Sequence, residues 1–195
     1  MSILWWEKTV EYFFVHEYVD INMFVAPLDG NHEKGGDTIL SNESKWVLIE
    51  FKRDKKSISD ELEKFTNYAD AKSELGSQDA HHVIIYGESL SGEFQLKCQQ
   101  YFSEKPVSIE IALQSGTDKD KFLSYLKKFV AFKKNSQSGS GGYGFVAGIS
   151  NDGTVTKCMK LSEFAEVLNL EMSLKQKLQQ QERQQQSYLS PGMSR

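Results

Sequence analysis

The heptapeptide Trp46-Val47-Leu48-Ile49-Glu50-Phe51-Lys52 decides the fold class, because it is an apolar strand that ends in two opposite charges. Alternate side chains of a strand lie on the same face of a sheet. Glu50 and Lys52 are therefore predicted to share one face with Trp46 and Leu48, and the odd-numbered residues take the other face. Since buried charge is costly unless it is paired or bound to metal, this pair marks a candidate functional site.

The segment before this strand predicts a partner strand. Residues 42–45, Asn-Glu-Ser-Lys, are typical of a four-residue hairpin loop. Such a loop pairs Ser41 with Trp46 and, counting outward, Asp37 with Glu50. Directly opposed residues have Cβ atoms about 5 Å apart and project from the same face. Two carboxylates so placed repel each other, and a divalent cation between them would remove that penalty. A loop of another length would shift the pairing.

Asp37, followed after a hairpin by Glu50-Phe51-Lys52, resembles the motif of the PD-(D/E)XK nuclease superfamily. That fold is shared by many restriction enzymes and by repair and phage-defence nucleases. The resemblance covers roughly residues 3–90, where helix, hairpin, motif, helix and strand follow in the order that the family uses. Gly36 precedes Asp37 where the family commonly has proline, and glycine is tolerated there. The resemblance implies an α/β (α+β) chain with a restriction-endonuclease-like core, a mixed central sheet flanked by helices.

The same resemblance implies a Mg²⁺ site, in which Mn²⁺ can substitute, formed by Asp37, Glu50 and the carbonyl oxygen of Phe51. Mg²⁺ prefers carboxylate and carbonyl oxygens and keeps several waters. Metal ions activate water and neutralise charge in phosphodiester hydrolysis. Lys52 would orient or help deprotonate the water, or stabilise charge on the phosphate.

Members of this family often add a glutamate from the first helix, and Glu11 is the residue predicted for that catalytic role here. Glu7 shares its face at i, i+4 spacing, and Glu17 is a third choice. The alternative interpretation is that Glu7 and Glu11 are solvated carboxylates on an exposed face of the helix. Glu33 precedes Asp37 by four residues and would support the metal through water, or is a loop charge.

These features predict a metal-dependent nuclease that hydrolyses phosphodiester bonds in DNA, in phage–host conflict or DNA repair. One alternative is a catalytically silent nuclease-fold module that serves in interaction or inhibition. Another is an unrelated α/β enzyme acting on small molecules and built around residues 139–144, Gly-Ser-Gly-Gly-Tyr-Gly. That segment lacks the Gly-Lys-Ser/Thr ending of a P-loop, which favours a linker or lid.

Composition bounds the class of protein. A chain of 195 residues suits one domain with a real core. The net charge of −4 means that binding to nucleic acid needs local basic patches, and residues 52–56, 127–128 and 133–134 are candidates. Cys98 and Cys158 are interpreted as reduced thiols of a cytoplasmic protein. No run of 18 or more apolar residues predicts a membrane span.

Three regions are predicted along the chain. Residues 1–135 form the nuclease-like core, and residues 136–172 form a Gly-rich linker plus a hairpin and a helix packed on that core. Residues 173–195 form a Gln-rich, partly flexible C-terminal tail. Two assemblies stay open, a homodimer and a complex with a partner protein, each formed through this tail.

Periodicity predicts the remaining elements. Helices are predicted over residues 3–19, from 57 to 76, over 92–102 and from Thr117 or Asp118 to Phe132. Strands are predicted over residues 83–86, 107–113, 145–150 and 155–159, the last two as a hairpin around Asn151-Asp152-Gly153. The apolar face of the last helix is Phe122, Tyr125, Leu126, Phe129 and Val130.

Overall fold

Residues 5–19, 45–134, 144–151, 153–161 and 164 are described by the structure, a computed structural model. The predicted strand at residues 37–41, Asp37 itself, Glu33, the glycine-rich segment up to residue 143 and the C-terminal tail lie outside the described residues. The helices and strands are, in chain order, α1 (Glu7–Tyr18), β1 (Lys45–Lys52), a first 3₁₀ helix (Lys55–Lys64), α2 (Tyr68–Leu75), a second 3₁₀ helix (Asp79–His81), β2 (His82–Leu90), β3 (Glu93–Gln100), β4 (Pro106–Val107), α3 (Ile109–Gln114), α4 (Lys119–Phe132), β5 (Phe145–Ile149) and β6 (Val155–Lys160).

The described strands form a mixed six-stranded sheet with the order β4-β3-β2-β1-β5-β6. β1 is parallel to β2 and antiparallel to β5, so Trp46 lies opposite Gly148 and not opposite Ser41, and the predicted hairpin register is wrong. The other neighbouring pairs are antiparallel. The prediction of a mixed central sheet flanked by helices is confirmed, and the restriction-endonuclease-like fold stays a prediction. Among the described helices, none is long and apolar enough to cross a membrane.

β1 lies in the middle of this sheet and contributes apolar side chains to both of its faces. Trp46 and Leu48 pack into one cluster, together with residues of α4 and the first 3₁₀ helix. Val47, Ile49 and Phe51 pack into the other cluster, together with residues of α1 and α3. The predicted alternation is therefore correct, because helices cover both faces of the sheet and each face needs apolar side chains.

Several predicted elements are confirmed. The apolar run at residues 83–86 lies within β2 and is buried. The side chain of Asp118 accepts a hydrogen bond from the N–H of Lys121 and begins α4, which ends at Phe132 as predicted. β5 and β6 form the predicted hairpin. Val130, however, is 42% exposed and lies off the buried face of α4.

Two predicted elements are wrong in type. Residues 92–102 were expected to be helical, but residues 93–100 form β3, in which Phe94, Leu96 and Cys98 face the cluster below α1. Apolar residues alternate with polar ones in this segment, which is the period of a strand, and the prediction of a helix did not take this alternation into account. Residues 107–113 were expected to be a strand. Instead α3 begins after Ser108, whose hydroxyl accepts a hydrogen bond from the N–H of Ile111.

The helix predicted from residue 57 to residue 76 is interrupted. The 3₁₀ helix ends at Lys64, and α2 begins only at Tyr68, after Asn67 has accepted hydrogen bonds from the N–H groups of residues 69 and 70. Leu62, an apolar residue of this segment, is 47% exposed. A 3₁₀ helix has three residues per turn, so its buried face departs from the α-helical spacing that the prediction assumed. Glu61 is buried instead.

Candidate functional site

Glu50 and Lys52 lie at the carboxyl end of β1 on the face that Trp46 and Leu48 share. The pairing of β1 with β5 ends at Ile49, whereas its parallel pairing with β2 continues to Lys52. The two charged side chains therefore follow the point where one neighbouring strand has stopped. In open α/β sheets, ligands bind outside the carboxyl ends of the parallel strands. The topology thus places the predicted pair where such a site is expected.

The carboxyl group of Glu50 is buried, and no group hydrogen-bonds to its Oε1 atom among the described residues. Gly144 packs against it with a φ of +95°, and a Cβ at Gly144 would lie 3.0 Å from Oε1. Only glycine allows that backbone conformation and that close approach without strain. Burial, and to a smaller degree the negative charge of Glu61, raise the pKa of Glu50 to about 8 against the lowering effect of the nearby lysines.

Glu61 of the first 3₁₀ helix is the acceptor for the lysines around this site. Its Oε1 atom lies 2.5 Å from the ammonium of Lys52 and 2.5 Å from that of Lys64. Its Oε2 atom lies 3.0 Å from the ammonium of Lys133 and accepts a hydrogen bond of 2.8 Å from the hydroxyl of Tyr101. Lys52, although predicted to act on a water or phosphate, is thus held by a carboxylate that the sequence analysis did not identify.

The electrostatics of the cluster separate the two buried carboxyls. Burial works against ionisation of Glu61, but the ammonium groups of Lys133, Lys52 and Lys64 together hold its pKa below the usual range. Among the described residues no ammonium group pairs directly with Glu50, and its pKa is raised instead. Burial also lowers the pKa of Lys133, against the opposing effect of Glu61. The ammonium of Lys133 lies 4.1 Å from the ring centroid of Phe65, a cation–π contact that compensates for lost hydration.

This cluster is a local excess of positive charge in an acidic protein. Three lysine ammonium groups, those of Lys52, Lys64 and Lys133, surround the single carboxylate of Glu61. With Glu50 protonated, the described residues of this cluster carry more positive than negative charge. The structure therefore provides an attraction for anions that the net charge of −4 does not suggest.

The remaining predicted site residues are placed as follows. The side chain of Phe51 faces away from the cluster and packs on Phe14 of α1, with ring centroids 5.3 Å apart. Glu11 lies on α1, which packs on that opposite face, and its carboxylate pairs with Lys8 at 2.5 Å. The described contacts bring Glu50 and Lys52 together but do not bring Glu11 to them. Asp37 lies outside the described residues.

Glu50 has the chemistry of a cation ligand. It offers a buried carboxylate oxygen that makes no hydrogen bond to any described residue, and its raised pKa disfavours the charged form in the absence of a bound cation. Within the described part of the chain, no group of three or more His, Cys, Asp or Glu residues could hold a metal ion. A site at Glu50 would therefore need further ligands, and Asp37 is the one predicted from the sequence.

Glu61 and Lys133 are the residues that sequence reasoning missed or misread. Lys133 was interpreted as part of an exposed basic patch, yet it is 4% exposed. A usable signal existed for Glu61, because it lies three residues after Ile58 and four before Phe65, on the apolar side of the predicted helix. No local pattern predicts Lys133, since it approaches Glu61 from the end of α4, 72 residues along the chain.

Comparison of this chain with models of known protein families, with curated proteins and with solved structures found no match.

Proposed function

We propose that this protein is a metal-dependent nuclease that hydrolyses phosphodiester bonds in DNA, with a restriction-endonuclease-like core. The observation that carries the proposal is the carboxyl end of β1, where Glu50 and Lys52 share one face of the sheet. Glu50 there has a buried carboxylate oxygen that no described residue hydrogen-bonds, and a raised pKa that a bound cation would lower. Phage–host conflict or DNA repair is the setting that the resemblance suggests.

Glu50 would hold Mg²⁺ together with Asp37 and the carbonyl oxygen of Phe51, the latter two by resemblance to the superfamily. Bound Mg²⁺ would supply an activated water and neutralise charge on the phosphate. Lys52 would donate a hydrogen bond to a phosphate oxygen or to the attacking water. Glu61 would act as a positioning residue, because its carboxylate fixes the ammonium of Lys52 at 2.5 Å.

Lys64 supplies the outer part of the anion site. It is 39% exposed, whereas Lys52 and Lys133 are almost fully buried. A phosphate group would therefore meet Lys64 first and reach Lys52 after displacing water. Pre-oriented charges in a water-poor site stabilise developing negative charge more strongly than they would in bulk water.

A cleavage assay with Mg²⁺ and with Mn²⁺ tests the proposal, using plasmid, linear duplex, single-stranded DNA and RNA as substrates. We expect DNA to be cut only when metal is present. Glu50→Gln and Asp37→Ala should abolish cleavage and weaken Mn²⁺ binding measured by calorimetry. Lys52→Ala should abolish or greatly slow cleavage and leave Mn²⁺ binding largely intact, because a protonated lysine does not ligate metal.

Lys97→Ala is the matched control for Lys52→Ala. Lys97 lies in the same row of the sheet, two strands away from Lys52, but is only half-buried and pairs with Glu88. Its loss should leave the cleavage rate unchanged. Cleavage at the wild-type rate by the Lys52→Ala protein would refute the catalytic role of Lys52, and thermal unfolding of each variant would confirm that it is folded.

The second candidate is a catalytically silent module of the same fold, and one specific observation favours it. Lys52 is 5% exposed and already paired, so substrate does not reach it without rearrangement. Such a module would use its surface for interaction or inhibition. Wild-type protein that neither binds divalent metal nor cuts any of the four substrates would establish this alternative in place of the nuclease.

A further inference from the structure

A cavity of about 250 Å³ lies between the first 3₁₀ helix and the sheet, beside Glu61 and the lysines that pair with it. Tyr68 and Tyr101 line it together with apolar side chains, and Lys55 and Lys56 lie at its exposed rim. Two carboxylates also line it, Glu61 and Glu104, and each is paired with a lysine outside the cavity lining. Ligand pockets for drug-sized molecules begin at about 300 Å³. This cavity therefore suits one planar ring system with a small substituent.

Gln99 places a polar side chain in this cavity. The residue is 6% exposed and lines the cavity, so its amide is within reach of a bound ligand. The amide carries both a donor and an acceptor, so a ligand edge with the complementary pair would satisfy it.

The register of the sheet ties this amide to the candidate metal site. Glu50 pairs with Ile84, and Ile84 pairs with Gln99, so the three residues form one row across β1, β2 and β3. Residues directly opposite each other project from the same face. Two strand spacings separate Glu50 from Gln99, which is about 10 Å. A group bound at Gln99 would thus lie within one or two nucleotide lengths of a phosphate bound at Glu50 and Lys52.

We propose that this cavity binds a heterocyclic base that carries a phosphate, with Gln99 hydrogen-bonding the base edge. Tyr68 provides an aromatic wall for stacking, and Lys55 and Lys56 attract the phosphate. Glutamine forms bidentate hydrogen bonds with adenine in nucleic-acid recognition, and stacking of bases on aromatic side chains tolerates any sequence. If the ligand is part of a nucleic-acid strand, the inference rests on the proposed nuclease function and assigns the site of a base near the scissile phosphate.

The test is calorimetric titration of the full chain in EDTA with AMP, GMP, CMP and UMP, and with adenosine and ribose 5-phosphate as partial ligands. We expect at least one nucleotide to bind at least tenfold more tightly than ribose 5-phosphate. Gln99→Leu should weaken that nucleotide by about 5- to 150-fold, the range expected for a bidentate contact. A double Lys55→Ala, Lys56→Ala variant should weaken the nucleotide but not adenosine.

Gln95→Leu is the matched control, because Gln95 lies on the same face of β3 four residues away and does not line the cavity. It should bind the nucleotide within twofold of wild type. The proposal is overturned if no nucleotide binds at millimolar concentration, if ribose 5-phosphate binds as tightly as the nucleotide, or if Gln99→Leu binds within twofold of wild type. If Gln99→Leu does not fold, nucleotide binding by Tyr68→Leu, a substitution at a half-buried position, tests the same cavity.

A short single-stranded oligonucleotide distinguishes the two sources of this ligand. Tighter binding than the mononucleotide assigns the cavity to a nucleic-acid strand, and equal binding assigns it to a free nucleotide. Because these titrations contain no metal, they are independent of the cleavage assay. Nucleotide binding without cleavage rejects the nuclease and retains the cavity site, whereas metal-dependent cleavage without nucleotide binding rejects the cavity site and retains the nuclease.

Discussion

Replacing Glu50 with glutamine should make the metal-free protein more stable, and increasingly so as the pH rises. The pKa of Glu50 is raised from 4.5 to about 8 by burial and by the charge of Glu61. Between these two values the carboxyl is protonated in the folded protein and ionised in the unfolded protein. The unfolded state then binds fewer protons, so the free energy of unfolding falls as the pH rises through this window.

The size of the effect follows from the width of that window. At 1.36 kcal/mol for each pH unit, the contribution of Glu50 is on the order of 5 kcal/mol, present in full below pH 4.5 and lost by about pH 8. Between pH 5.5 and pH 7.5, wild type should lose about 3 kcal/mol relative to Glu50→Gln. Glu61 does not contribute to this change, because its lowered pKa leaves it ionised in both states above pH 5.5.

Urea unfolding of both proteins in EDTA at pH 5.5 and pH 7.5 measures this difference. The lowered pKa values of His81 and His82 change stability in the same window, but both proteins share them and the comparison removes their effect. Glu93→Gln, an exposed carboxylate on β3, is the matched control and should change stability by less than about 0.5 kcal/mol at either pH.

A difference between wild type and Glu50→Gln that is the same at both pH values would refute the reasoning, because Glu50 would then be ionised in the folded, metal-free protein. The same urea unfolding can be repeated with Mn²⁺ in place of EDTA. Mn²⁺ at about one hundred times its Kd should restore about 2.7 kcal/mol to wild type at pH 7.5 and little to the variant.

Three more perturbations test other parts of the structure. Glu61→Gln should lower the free energy of unfolding by about 3–5 kcal/mol, because it leaves the buried ammonium groups of Lys52 and Lys133 uncompensated; a loss below about 1 kcal/mol in urea unfolding would contradict its role as their anchor. Phe129→Ala should cost about 3–5 kcal/mol and Val130→Ala less than about 0.5 kcal/mol, since only the first side chain is buried; equal losses would mean that α4 presents another face. Deleting residues 187–195 should leave the Tm in scanning calorimetry nearly unchanged, because this segment has few apolar side chains, and a large drop would reveal that it docks.

The elements predicted correctly are those whose side-chain period is unambiguous. β1 alternates between two apolar sets, and its charged pair at residues 50 and 52 has the same parity as Trp46. α4 combines a capping aspartate with helical spacing, and β5 and β6 flank a turn signal. The predictions for the residues of β3 and α3 were wrong for the opposite reason. Their stretches are short and polar enough to satisfy either period, so burial by neighbouring elements decided between helix and strand.

The sequence by itself determined that Glu50 and Lys52 share a face, because a strand has a period of two and no tertiary contact alters it. It also determined a buried carboxylate in need of a positive partner. Only the tertiary structure decided which lysine ammonium groups lie at this site and that they pair with the carboxylate of Glu61. Lys133 and Glu61 are 72 residues apart, and Gln99 meets the row of Glu50 only through the pairing of β2 with β3. Strand order and register are long-range properties that depend on how whole elements pack, and no local pattern encodes them.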